Sequence, residues 1–499
     1  MEEGPRPDCT VADLHRHLLS EVATDKFPIS RLKSDPSGRS STTNPGGGAK
    51  LKQPGGFRRA FLRDEAEKRG VGLADMPISW LRDLKVDLRR LSRLGYFHNV
   101  FGMTFNEDSG QCQELQAGGT LGTVSTVLLL LKSFVGTGIL FLPGAMSQGG
   151  WCFSGVLLFC VGLASAVCIR LLMECVDKTG SSSFAGIGRR AIGSAGDYAV
   201  QVSLVLSQFG TCIAYMIFIA RLLSKLFGWS LAQVLLGQVI VLVPMNWIRK
   251  LEKLEFPTLV ADALIIFGLG AAIMYFGEAL HDGDRPEVPD FKPATCGLFI
   301  GTAVFTFEGI PYLLPIRASM QKPEQFARIF QPVFAFVLLF FLFFGLCGYL
   351  TYGDAVQPVV LENLPQNNAL VTYVKVGYCG ALVCSFPLVF LPAQRILELW
   401  TFGVTPKAVK KHQKNAFRTL VTCCCAAVAL YGGAYFAEFL AYVGALCCAP
   451  LAVVYPPLFH VSLCATTWAQ RIVDWTLVVA GVVVMAFVFY QTISGAGDG

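Results

Sequence analysis

LLLLKSFVGTGILFLPGAMSQGGW, from Leu128 to Trp151, is long and apolar enough to cross a bilayer, yet its middle is built to break. Gly136-Thr137-Gly138 interrupts the helical run and Pro143 follows. A helix broken at bilayer depth strands N–H and C=O groups that hydrocarbon cannot satisfy. Such a break survives only where it lines a cavity or a bound solute. Unwinding at Gly136–Gly138 also exposes the amides that open the next half-helix, at the positive end of its dipole. A carboxylate is the natural ligand there, with the Ser133 and Thr137 hydroxyls in reach to add hydrogen bonds. The competing reading is that Gly136 and Gly138 only let helices pack closely.

The rest of the chain fits a membrane setting. Apolar residues make up 53% and charged residues 15% of the 499 positions, and Phe occurs 38 times. The apolar residues fall in repeated runs of roughly 20, the length that spans a bilayer. The formal net charge of +6 does not point to nucleic acid, because many of the basic residues lie in short loops between spans. The 17 cysteines lie mostly within apolar runs, including Cys423-Cys424-Cys425 and Cys447-Cys448, and none has the partnered spacing of a metal site. They read as small residues packing between helices. No motif implies a cofactor or catalysis: nucleophile elbow, phosphate loop and HExxH are all missing.

The pattern predicts an all-α integral membrane protein with eleven spans: Val124–Ser147, Trp151–Met173, Tyr198–Ala220, Leu231–Ile248, Phe256–Gly277, Cys296–Pro315, Ile329–Tyr352, Thr372–Ala393, Ala416–Gly432, Phe436–His460 and Ile472–Ile493. Residues 1–120 form a separate cytosolic tail, 121–494 the spanning domain and 495–499 a short tail on the outer side. The connections after even-numbered spans carry far more Lys and Arg than those after odd-numbered ones. An inside amino terminus and an outside carboxyl terminus follow. The tail lacks the apolar core of a cleavable signal, so the first span is expected to act as a signal-anchor. Residues 30–56 read as a disordered linker. Pro77–Phe97 repeats Leu and Trp at helical spacing with Arg and Lys between, a basic amphipathic helix suited to an anionic leaflet or to docking on the protein's own loops.

Charged residues inside spans are functional candidates. Lys132 adjoins the break and either faces a partner or snorkels to the interface. The sixth span, GTAVFTFEGIPYLLPI from Gly301, holds Glu308 beside Gly309 and Pro311, so a second break is expected near Thr306–Gly309. Carbonyls freed there can hold an ammonium group. Glu308 pairs with that cation, carries a proton, or is structural. Asp262 in the fifth span is a further relay candidate or else snorkels to the interface, Lys375 and Glu438 read as interfacial, and Cys384 and Ser385 as path-lining. His residues are few, and none falls mid-span. Breaks five helices apart match two five-helix halves related by an inverted repeat, the LeuT-type arrangement. Facing breaks would suit the two poles of an α-amino acid zwitterion.

Four stretches resemble motifs of the amino acid/auxin permease family, most closely its proton-assisted and fungal vacuolar members: LLLLKSFVGTGILFLP, FTFEGIPYLLPIRASMQKPEQF from Phe305, FPLVFLPAQRILE from Phe386 and CAPLAVVYPPLFH from Cys448. The likeness runs over 121–493, and GGFRRAFLRDEAEKRG from Gly55 faintly resembles the fungal tail. The resemblance implies an eleven-helix LeuT-like fold and proton-coupled transport of neutral amino acids. It places the substrate site at Ser133, Gly136, Thr137 and Gly138, and at Phe305, Thr306 and Phe307. Two positions depart from the animal members. Leu129 stands where they carry His, and Arg317 where they carry an acidic residue. Coupling by protons then falls to Glu308, Asp262 or Lys132. The alternatives are an amino acid sensor signalling through its tail and a permease for a polyamine or organic acid. A vacuolar or lysosomal membrane is favoured over the plasma membrane. Protein partners of the tail are not legible.

Overall fold

The structure is a computed structural model that describes residues 104–105, 112–113, 121–136, 138–248, 255–281, 286–365, 368–403 and 411–496. The linker at 30–56, the amphipathic helix at 77–97 and Thr137 lie outside the described residues. A two-residue pairing, β1 (Thr104–Phe105) with β2 (Cys112–Gln113), is antiparallel. Among the described residues, all other regular structure is helical, apart from an isolated bridge between Leu121 and Met320.

Span 1 is α1 (Thr123–Phe134) and α2 (Gly138–Gly149), bent by 42°. Span 2 is α3 (Trp151–Thr179). A short helix, α4 (Phe184–Ile192), precedes span 3, which is α5 (Ser194–Phe227). Span 4 is α6 (Leu231–Asn246) and span 5 is α7 (Glu255–His281). Span 6 is again two pieces, α8 (Cys296–Thr306) and α9 (Ile310–Ser319). Spans 7, 8 and 9 are α10 (Phe326–Tyr352), α11 (Ala369–Phe402) and α12 (Lys411–Gly432). Span 10 starts as α13 (Phe436–Tyr442), becomes π-helical over Val443–Cys448 and Pro450–Val454, and ends as α14 (Tyr455–Leu463). Span 11 is α15 (Trp468–Ala496).

Among the described residues, nine helices are long and apolar enough to cross a membrane, the bent pair of span 1 makes a tenth, and the 16-residue α6 completes the expected eleven. Local chemistry explains several boundaries. Ser230 and Gln233 form a reciprocal capping box that starts α6. Gly150 turns the chain between spans 1 and 2 at φ 87°, where a side chain would also run into the backbone of Asp290. Pro450 has no N–H to donate within span 10, which favours the looser π register around it.

Two features were not expected from the sequence. The nine-residue α4 packs Phe184 edge-on against Phe459 of α14, with ring centroids 6.0 Å apart. Lys375 is not interfacial. It is buried and donates to the Leu364 carbonyl at 3.2 Å, because the segment Val359–Leu364 folds in over the end of α11.

The interior is held by close backbone approach as much as by side chains. Gly444, at the start of the π-helical stretch, lies so near the Gly301 carbonyl of α8 that it has no room for a Cβ, and a Cβ on Gly301 would run into the backbone of Ala441. Small residues of this kind allow spans to pack where lipid is as apolar as the side chains themselves. A ladder of Phe326, Phe330 and Phe334 climbs α10, with successive centroids 5.7 and 5.2 Å apart, and Phe134 of α1 abuts it edge-on at 5.3 Å.

Candidate functional site

The two interruptions meet. A Cβ on Gly138 would lie 3.3 Å from the Thr306 Cα. A Cβ on Gly309 would lie 2.7 Å from both the Ser133 carbonyl oxygen and the Phe134 ring. The glycines therefore let the end of α1 lie against the start of α9, and the start of α2 against the end of α8. In span 1 the cap at Val135 closes α1 through a bond to the Leu131 carbonyl at 2.8 Å, and Tyr378 of α11 donates to the freed Gly136 carbonyl at 3.4 Å. The amides of the first turn of α2 have no acceptor within their own helix. In span 6 the chain tightens instead of opening wide. Phe307 and Glu308 donate to the Val304 and Phe305 carbonyls at 3.2 and 3.1 Å, before Pro311 restarts the helix.

A cavity of about 150 Å³ lies at this junction and extends along α1 and α9. Ser133, Gly136, Gly138, Phe305, Thr306 and Glu308 line it, as do both Lys132 and Asp262. Ser385 of α11 is also in the wall, whereas Cys384 is not among the lining residues. Phe307 corrects the expectation. It is fully buried and faces away, with its ring 5.7 Å from those of Phe334 and Phe341 on α10. The tight turn at Phe307–Gly309 rotates its side chain off the face that Phe305 occupies. Thr137 has no described placement. Beyond the breaks Phe141 of α2 is packed on Phe218, Phe305 and Phe436 at 5.9, 6.4 and 5.2 Å.

Lys132 and Asp262 do not snorkel apart. The Lys132 ammonium donates to Asp262 Oδ2 at 2.6 Å, joining the last turn of α1 to α7. Their side chains are 25% and 27% exposed, so solvent screens the pair in part. Lys132→Met alone leaves Asp262 a charge without this partner, and Asp262→Leu does the converse. The double variant removes both. Thermal melts are expected to place each single variant about 1–3 kcal/mol below the wild type and the double variant above either single. Additive losses would show that the contact contributes nothing to stability.

Glu308 has a different setting. Its two carboxyl oxygens both lie 2.6 Å from Thr211 Oγ1 on α5. Gln208 donates to Oε1 at 3.4 Å and in turn accepts from the Tyr312 hydroxyl at 2.9 Å. Among the described residues no Lys, Arg or His lies within ion-pair distance of it. The Thr211 hydroxyl is also 2.9 Å from the Ser207 carbonyl. A hydroxyl has one hydrogen. Either it donates to an ionised Glu308, or it donates to Ser207 and Glu308 carries a hydrogen of its own. The geometry accommodates both, and the two states differ by one proton. Thr211, Gln208 and Tyr312 were missed by sequence reasoning. The available signal was a file of polar residues, Ser203, Ser207 and Thr211, at every fourth position of an otherwise apolar span.

Residues 119–494 match the family model described as transmembrane amino acid transporter protein. The chain belongs to this family. Members of a transporter family are transporters rather than enzymes. The chain is 35% identical over 482 residues to vacuolar amino acid transporter 3 of Saccharomyces cerevisiae, covering 89% of this chain and 69% of that one. It is also 35% identical to vacuolar amino acid transporter 3 of Schizosaccharomyces pombe, covering 76% of this chain and 59% of the relative. With amino acid transporter ANT1 of Arabidopsis thaliana the identity is 29%, over 77% of this chain and 94% of the plant protein.

Proposed function

We propose that this chain carries neutral α-amino acids across a vacuolar or lysosomal membrane by alternating access, with protons as the coupling ion. The observation that carries the reading is the junction itself: the Gly138 break faces Thr306 and the Gly309 break faces Ser133 around one cavity. The amides that open α2 suit the carboxylate of the solute, and the span 6 turn with Glu308 suits its ammonium. The names of the fungal relatives support amino acids as solute and the vacuole as compartment.

The packing about the cavity supports alternating access. The aromatic packing around Phe141 lies beyond the breaks, and the Lys132–Asp262 contact lies in the cavity wall. Rocking α1, α2, α8 and α9 against the other spans would loosen the first of these and tighten the second. The proton coupling rests on Glu308, whose contacts allow one proton more or fewer.

The test is uptake of radiolabelled neutral amino acids into proteoliposomes with and without an imposed pH step. Saturable uptake whose rate and extent follow the step is expected. Saturable uptake that ignores the step removes the coupling, and no saturable uptake of any amino acid removes the transport reading.

A further inference from the structure

The sequence places His460 at the end of span 10, where it reads as a boundary. In the structure its side chain is 2% exposed and both ring nitrogens face carboxylates. Nδ1 lies 2.6 Å from Oδ2 of Asp474 on α15, and Nε2 lies 3.1 Å from Oε2 of Glu174 on α3. Asp474 is 1% exposed, whereas Glu174 is 41% exposed and so opens the group to solvent.

Counting hydrogens decides what this arrangement holds. A neutral imidazole has one N–H and one bare lone pair. With both carboxylates ionised, that lone pair would point at a carboxylate oxygen across a hydrogen-bond distance. Both contacts are satisfied only if one more proton is present, either on the ring or on a carboxyl. We propose that His460, Asp474 and Glu174 form a proton-binding site, separate from the solute cavity, that fastens the adjoining ends of spans 10 and 11 to span 2.

The surroundings are compatible with a proton that comes and goes. From α3, Arg170 donates to Glu174 Oε1 at 3.2 Å and Cys175 packs close by, with Lys178 further along. Cys464, just past α14, brings its sulfur 4.0 Å from that of Cys175. From α4 the packed face is Phe184, Ile187 and Gly188, while its Arg189 and Arg190 are exposed. Arg170 bonds the other oxygen of Glu174 and not the one that faces Nε2, and among the described residues no Lys or Arg lies within ion-pair distance of Asp474. When the proton leaves, the remaining N–H stays on the 2.6 Å contact to the buried Asp474, the bare Nε2 lone pair faces Glu174 Oε2, and the tie to α3 loosens. The released end continues directly into the π-helical stretch, which packs on α8 and α5 beside the cavity. Raising the pH on the face where span 1 begins should thus change how readily span 10 moves, without altering the solute contacts.

The proton can be read directly in the full-length protein in lipid nanodiscs. Histidine is labelled with ¹⁵N and the His460 signals are assigned by their loss in His460→Gln. As pH rises from acid to alkaline, both ring nitrogens should shift together in a single transition. Ring signals that stay unchanged across the range overturn the proposal. This measurement needs no flux, so its failure is separable from failure of the transport reading. A second arm compares counterflow exchange at equal pH on both sides, in the Glu308→Gln background so that the cavity carboxyl does not contribute. The exchange rate is expected to vary severalfold with pH and to lose that variation on adding Asp474→Asn, whose amide can donate or accept without a proton, with KM unchanged. A pH profile unaffected by Asp474→Asn overturns the proposal.

Discussion

Gly138→Leu is expected to abolish amino acid binding and flux while the protein still folds and inserts. Position 138 lines the cavity, and even a Cβ there lies 3.3 Å from the Thr306 backbone, closer than most side-chain contacts in proteins. The three further carbons of leucine must push α2 away from α8 or occupy the space between the breaks. Either outcome removes the position from which the first amides of α2 meet a carboxylate. Losing those contacts should weaken binding by more than about a hundredfold, over about 2.7 kcal/mol, enough to take it out of the measurable range. Overpacking itself costs about 1–3 kcal/mol, too little to unfold a well-packed domain. Gly136→Ala is the control, because nothing lies within 4 Å of a Cβ at that position. It should retain most of the flux. Scintillation proximity binding and proteoliposome uptake on monodisperse protein read both variants. Wild-type affinity in Gly138→Leu would remove the break from the binding site.

The eleven spans and the two interruptions were legible because each is a local property. A run of about 20 apolar residues must bury its own backbone hydrogen bonds, and Gly or Pro within it defeats that within a few residues. What lay beyond reach was pairing across the chain. Lys132 and Asp262 are each conspicuous as charges, but they lie 130 residues apart in sequence and nothing local says that they touch. Phe305 and Phe307 illustrate the same limit at short range. Both belong to one motif, yet a tight turn sends one into the cavity and the other onto α10. The polar partners of Glu308 are uncharged, so Thr211, Gln208 and Tyr312 raise no alarm in a hydropathy reading. His460 was hidden differently: at the predicted end of a span, a buried histidine and an interfacial one look alike. The short α4 carries no spanning-length run at all.

The second large effect concerns coupling. Glu308→Gln keeps the shape of the side chain and can still meet Thr211, but it cannot gain or lose a proton. In the wild type an ionised Glu308 without a partner cation is unfavourable in so apolar a setting, and it is neutralised either by a proton or by the ammonium of a bound solute. In the proposed mechanism, solute and proton occupancy are therefore linked through one carboxyl. In the glutamine variant the link is gone. A pH step should no longer drive accumulation, whichever side is acid. Counterflow of labelled against unlabelled amino acid needs no net proton movement and should persist, with affinity lowered by the lost charge on the order of tenfold, about 1.4 kcal/mol. Thr211→Val provides the complementary change. It removes the hydroxyl that sits 2.6 Å from both carboxyl oxygens, so it should shift the pH dependence of uptake without erasing it. Accumulation that still follows the pH step in Glu308→Gln would move the coupling proton to another group, with the Lys132–Asp262 pair the next to test.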